Sequence, residues 1–143
     1  MGILDILRIS SSALNAERTR METIASNLAN IHTTRTDEGG PYKKKEVVFT
    51  TTNVSEGKGF GRMLSERIDG VKVEEIAESP KAFERIHDPG HPDADKDGFV
   101  TYPNVNLMEE MTDMIAATRA YEANLSVVNT TKQMFLKSLE IGK

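Results

Sequence analysis

Cysteine is absent from the 143-residue chain. This removes disulfides, thiolate metal sites and a cysteine nucleophile. It does not choose a compartment, because a cysteine-free chain suits reducing and oxidising surroundings equally. A basic excess is also missing: the net charge is −4, against the positive balance that nucleic-acid binding normally requires. No stretch approaches the ~20 apolar residues of a membrane span, so direct membrane insertion is not expected. The apolar start Ile3-Leu4-Ile6-Leu7-Ile9 is short for a signal core. It is interrupted by Asp5, lacks a basic flank and leads into polar residues, so no cleaved secretory signal is expected. There is no internal repeat. The length suits one compact domain, and a hydrophobic content of 38% is low for a globular one.

What is present begins with the tail. Asn106 to Ile141 has the pattern of one long helix. Leu107, Met111, Met114, Thr118, Tyr121, Leu125, Val128, Lys132, Phe135 and Leu139 step by alternating fours and threes. That is the 3.5-residue repeat of a coiled-coil stripe, broken only at Thr118 and Lys132. Asn106 is a good N-cap, with Glu109 at the capping-box position. Glu109, Glu110 and Asp113 near the start and Lys132, Lys137 and Lys143 near the end suit the helix dipole. Gly142 is placed to stop the helix. Tyr121 lies on the stripe and Asn124 beside it; an exposed, hydrated asparagine is the usual case there, and a buried one would fix register between helices. Met108, Met111, Met114 and Met134 suit adaptable packing.

A second helix is expected over residues 3–31. Leu7, Leu14, Met21 and Leu28 recur every seven residues, with Leu4, Ile24, Ala25 and Ile31 beside them. Asn30 and His32-Thr33-Thr34 mark its end, and 32–41, closing in Gly39-Gly40-Pro41, is a linker. Strands are expected at Glu46–Thr52, Gly70–Ala77, Ala82–His87 and Phe99–Tyr102, with a turn at Gly57, Gly59 and Gly61. The fold class is α+β. Terminal helices at 1–31 and 104–143 form a coiled-coil-like pair, with a small β-rich domain at 42–103 inserted between them. A single apolar stripe on a helix of this length does not offset the ordering of its backbone, so these helices need several neighbours.

Chemistry-bearing motifs are weak. Asp93, Asp95 and Asp97, with Gly98, copy the first half of a calcium-binding EF-hand loop. The twelfth position is Asn104 instead of a bidentate glutamate, and Pro89 and Pro92 forbid the incoming helix. His87 and His91 lie four apart, but Pro89-Gly90 between them opposes a helical metal site. A calcium- or metal-responsive module built on these residues is the alternative reading. Gly57-Lys58-Gly59-Phe60-Gly61 lacks the P-loop spacing and suits a mobile loop. Lys43-Lys44-Lys45 reads as a solvated turn, with a charged interface contact as the sharper reading. No catalytic residue, cofactor or metal site is expected.

Ser26-Asn27-Leu28-Ala29-Asn30-Ile31-His32-Thr33-Thr34 resembles the Asn–x–Ala–Asn–x–x–Thr signature that closes the N-terminal helix of bacterial flagellar rod and hook proteins. Glu110-Met111-Thr112-Asp113-Met114-Ile115 and Arg119-Ala120-Tyr121-Glu122-Ala123-Asn124 resemble their C-terminal helix. Gly39-Gly40-Pro41-Tyr42 and the run from Asp88 to Asp95 narrow the likeness to the proximal-rod type. Thr34 departs from the wider family, where many hook and distal-rod members carry proline and then Gly-Tyr. The resemblance implies a non-enzymatic structural subunit of the basal-body rod in the periplasmic space. It implies export through the flagellum's own type III apparatus without a cleaved signal. The partners implied are copies of itself and other rod proteins, with terminal helices that order on assembly. The expected assembly residues are Leu7, Leu14, Met21 and Leu28 on the first helix. On the second they are Leu107, Met111, Met114, Tyr121, Leu125, Val128, Phe135 and Leu139.

Overall fold

The structure, a computed structural model, describes residues 2–53 and 69–141. The Gly57–Gly61 turn, Gly142 and Lys143 lie outside the described residues. The first helix, α1, spans Ile3–Ala29. It starts where the Asp5 carboxylate accepts the Gly2 amide at 2.7 Å. It ends where Asn30 folds its side-chain amide back onto the Ser26 carbonyl at 2.9 Å. The linker then closes on itself: the Gly40 carbonyl accepts the Thr36 amide at 2.9 Å, and the Thr33 carbonyl accepts the Tyr42 amide at 3.0 Å. Gly39 and Gly40 make that loop possible, with φ of 89° and 79° in the left-handed region.

Strands β1 (Lys45–Asn53) and β2 (Asp69–Glu78) pair antiparallel, from Lys45 opposite Glu78 to Asn53 opposite Asp69. The register shifts between Val48 and Phe49. β3 (Glu84–His87) and β4 (Phe99–Tyr102) form a separate two-stranded sheet, from Glu84 opposite Tyr102 to His87 opposite Phe99. β3 is shorter than the expected Ala82–His87 because β4 offers only four partners. The second helix, α2, spans Leu107–Ile141. Its N-cap is Asn106, whose Oδ1 accepts the Met108 and Glu109 amides at 2.9 and 3.2 Å.

Among the described elements, β1, β2 and α2 all pack on α1, while β3 and β4 pack only on each other. The helices run antiparallel: Asn27 meets Glu110, Arg20 meets Asp113, and Met21 meets Thr118. By rise per residue α1 is about 40 Å long and α2 about 52 Å, so the C-terminal turns of α2 run past the start of α1. Little of the interior is apolar. Ala16, Ile24, Tyr42, Val100, Pro103 and Ala117 are buried apolar residues, while Ser10, Thr23, Asn27, Lys44, Ser79, Glu110 and Thr131 are buried polar ones.

Candidate functional site: a polar junction and an exposed helical face

The junction sits where α1 ends, the linker returns, β1 begins and α2 starts. Asn27, 1% exposed, is its centre. Its side-chain amide donates to the Lys45 carbonyl at 2.8 Å and to Glu110 Oε2 at 2.9 Å. Its Oδ1 accepts the Lys45 amide and the Tyr42 hydroxyl, each at 2.9 Å. Glu110, also 1% exposed, holds Lys44 Nζ at 2.7 Å through its other oxygen. Glu109 and Glu46 lie farther from the same ammonium, at 3.8 and 3.9 Å. Burial alone would lower the Lys44 pKa. The hydrogen bond and charge of Glu110, helped by Glu46 and Glu109, outweigh it and leave the pKa raised. Asn104 completes the junction: its Oδ1 accepts the Lys44 amide and its side-chain amide donates to the Lys81 carbonyl, both at 2.9 Å. A cleft of about 320 Å³ opens beside it between α1, β1 and α2, lined by Ile24, Asn27, Lys44, Val47, Phe49 and Glu110.

One expectation is corrected here. Lys44 is not in a solvated turn; it is buried and paired, while Lys43 keeps a surface pair with Glu78 at 2.7 Å. The register role left open for a buried Asn124 falls to Asn27; the Asn124 amide turns back to the Ala120 carbonyl of its own helix. Glu109 occupies the capping-box position, yet its carboxylate pairs with Lys81 at 3.3 Å.

The expected stripe on α2 and the face that meets α1 are offset by about one residue. The inward line contains Glu110, Ala117, Asn124 and Thr131, flanked by half-buried Met114, Tyr121 and Val128. Ala117 is the small apolar residue of that inward line, while Ala16 of α1 is buried on the side of the β1–β2 hairpin, beside Thr52, Val71 and Val73. The larger stripe residues Leu107, Met111, Leu125, Phe135 and Leu139 are exposed, as are Met108, Ile115, Val127, Met134 and Leu136. On α1, Leu7, Leu14, Met21 and Leu28 are half-buried. The Thr118 hydroxyl is spent on the Met114 carbonyl at 2.8 Å, and Lys132 is exposed.

The aspartate loop is architecture for the β3–β4 turn. One Asp95 oxygen accepts the Asp97 and Phe99 amides at 2.9 Å, and the other pairs with Arg85 at 2.6 Å. The Phe99 amide first, then the Asp97 amide and Arg85, hold the Asp95 carboxyl below its usual range against a smaller effect of burial. Asp93 accepts the Thr34 hydroxyl at 2.8 Å. His87 stacks edge-on against Phe99, and His91 against Tyr102, at centroid distances of 5.0 and 6.1 Å. Gly98, with φ of 77°, completes the turn. Among the described residues no three histidine or acidic side chains converge as metal ligands.

This arrangement defines a scaffold protein: two long antiparallel helices, a polar junction at one end, small hairpins, and an apolar helical face left open. Comparison with known proteins agrees. The model described as "Flagella basal body rod protein" matches residues 7–35. The model described as "Flagellar basal body rod FlgEFG protein C-terminal" matches residues 96–141. The curated flagellar basal-body rod protein FlgC of Borreliella burgdorferi is 40% identical over 150 residues, covering 99% of this chain and 98% of that protein. FlgC of Bacillus subtilis is 42% identical, with 96% of each chain covered, and that of Escherichia coli O6:H1 is 40% identical over the full length of both. The chain belongs to the FlgC family of flagellar basal-body rod proteins. Its role is that of a structural rod subunit of the flagellar basal body, in association with other rod components.

Proposed function

We propose that the chain is a non-enzymatic axial subunit that polymerises through its terminal helices into the proximal part of the rod. Head-to-tail contacts that do not close on themselves yield an open helical polymer, which suits a shaft that transmits torque. The observation that carries this reading is the exposed row on α2: Leu107, Met111, Ile115, Leu125, Phe135 and Leu139 are 43–55% exposed along one side of the helix, and contiguous exposed apolar surface marks an interaction site. Leu7, Leu14, Met21 and Leu28 hold α1 to its neighbours within the same assembly. Residues 1–31 and 104–143 act as the axial part, 32–41 as the linker, and 42–103 as the small β-rich part outside it. The working place is the periplasmic section of the basal body, reached through the flagellar type III export apparatus without a cleaved signal.

The polar junction holds the two helices together at one end only. Toward the other end the packing thins, and every α2 residue from Lys132 to Glu140 is exposed. The distal turns therefore order when neighbouring subunits cover them. Leu125→Asp tests the proposal. It places a charge on the open row without touching the junction, so the chain should fold and yet fail to enter basal bodies. Incorporation at the wild-type level would reject the assignment.

A further inference from the structure

The contact between α1 and α2 repeats every seven residues on both sides. On α2, Glu110, Ala117, Asn124 and Thr131 form the inward line, flanked by Met114, Tyr121 and Val128. On α1, Leu7, Leu14, Met21 and Leu28 are half-buried at the same interval. A slide of one heptad, about 10.5 Å along the axis, brings half-buried Met114, Tyr121 and Val128 back opposite the Leu7, Leu14, Met21 and Leu28 series. The apolar seam alone thus leaves the register nearly degenerate. The β3–β4 hairpin that leads into α2 packs on no other described helix or strand; two single hydrogen bonds, Thr34 to Asp93 and the Lys44 amide to Asn104, tie it to the linker side and would also break in a slide.

We propose that the buried Lys44–Glu110–Asn27 junction is the register pin of the helical pair. Asn27 is held from the α1 side by Tyr42 and Lys45, so the end of α1, the linker and the start of β1 form one unit. Glu110 enters that unit from α2 and bonds Asn27 and Lys44 together. A slide by seven residues in either direction takes Glu110 away from both partners. It strips the buried Glu110 and Lys44 of their mutual pair and takes one of the four hydrogen bonds of Asn27, a penalty that an apolar seam cannot impose. Single polar groups in otherwise apolar helix pairs specify register in this way. With α2 pinned, its exposed row sits at one fixed axial height. That consequence matters for assembly only under the axial role proposed above; the register itself does not depend on it.

The absence of cysteine makes a direct test available in the full-length chain. Met21 Sδ and Thr118 Oγ1 lie 3.7 Å apart, so Met21→Cys with Thr118→Cys marks the observed register. Met21→Cys with Met111→Cys, or with Leu125→Cys, marks a slide of one heptad either way. A thiol cross-linker shorter than the heptad step is applied to each pair, with and without Lys44→Met/Glu110→Leu. That substitution removes the pin while leaving apolar side chains to fill the site. In the otherwise unchanged chain, only the 21–118 pair should cross-link well. In the pin-free chain, helical content by circular dichroism should persist. There the ratio of 21–118 to slipped products should fall by about fivefold or more. A pin-free chain that stays helical and links only at 21–118 overturns the proposal. So does one that loses its helices, because the junction would then supply stability instead of register.

Discussion

Glu110→Ala tests the energetics of the junction. The substitution removes the oxygen 2.7 Å from Lys44 Nζ and the acceptor 2.9 Å from the Asn27 amide. The Lys44 side chain, only 8% exposed, is left with Glu109 at 3.8 Å and Glu46 at 3.9 Å. Breaking a buried ion pair by deleting one partner costs about 3–5 kcal/mol, most of it from the charge left behind. The two remaining carboxylates are about half exposed, so the cost should fall near the lower end, about 3 kcal/mol. For a chain of this size that lowers the midpoint of thermal unfolding by roughly 10 °C. Lys44→Met/Glu110→Leu removes both charges and should regain most of the loss, because apolar replacement of a buried pair is often neutral. Urea titration followed by far-ultraviolet circular dichroism measures all three chains. A cost below about 1 kcal/mol for Glu110→Ala, the range of an exposed pair, would refute the reasoning. A double variant no more stable than the single one would refute it too.

Alkaline pH probes the same pair. The Lys44 pKa in the fold is raised above its ordinary 10.5, so the stability it supplies is complete below that value and is lost as pH rises through the folded pKa. Unfolding titrations should therefore show the wild-type chain losing stability more steeply above pH 10.5 than Lys44→Met/Glu110→Leu; parallel curves would contradict it. Gly98→Ala puts a Cβ 3.2 Å from His87 Nε2 and Pro89 Cγ at a φ of +77°. It should cost the β3–β4 hairpin about 1–2 kcal/mol, seen as faster amide exchange at Phe99 with α1 unchanged. Leu125→Asp, discussed above, should abolish entry into basal bodies while leaving the circular dichroism of the chain near wild type.

Element positions were legible from local pattern. Asn106 as a cap, the seven-residue spacing of Leu7, Leu14, Met21 and Leu28, and the β-branched run at Glu46–Thr52 are short-range signals, and the elements they mark formed. The face α2 turns to its partner was not legible. A hydrophobic stripe identifies residues that need burial without saying which neighbour supplies it. Within one chain the inward line of α2 went to Glu110, Ala117, Asn124 and Thr131, and the large apolar residues stayed outside. Junction residues were hidden for a related reason. Lys44 looked like one of three solvated lysines, and Glu110 like a first-turn acid suited to the helix dipole. Only their meeting across 66 positions gives either a buried role. The Asn–x–Ala–Asn signature did point at Asn27, and an asparagine fixed in a family motif at a helix end was the one available clue. Asp93, Asp95 and Asp97 left a ligand reading open as the alternative, because an Asx-rich turn and half an EF-hand loop share the same residues; the weakness of the match, with Asn104 at the twelfth position, was legible.

A reconstruction of the intact basal body in which this chain is traced from end to end tests the central claim most directly. The axial account expects Leu107, Met111, Ile115, Leu125, Phe135 and Leu139 to be buried against neighbouring subunits, with Asn27, Lys44 and Glu110 still joined within each one. A rod in which that row faces water, or in which α2 is covered by its own hairpins, would contradict it.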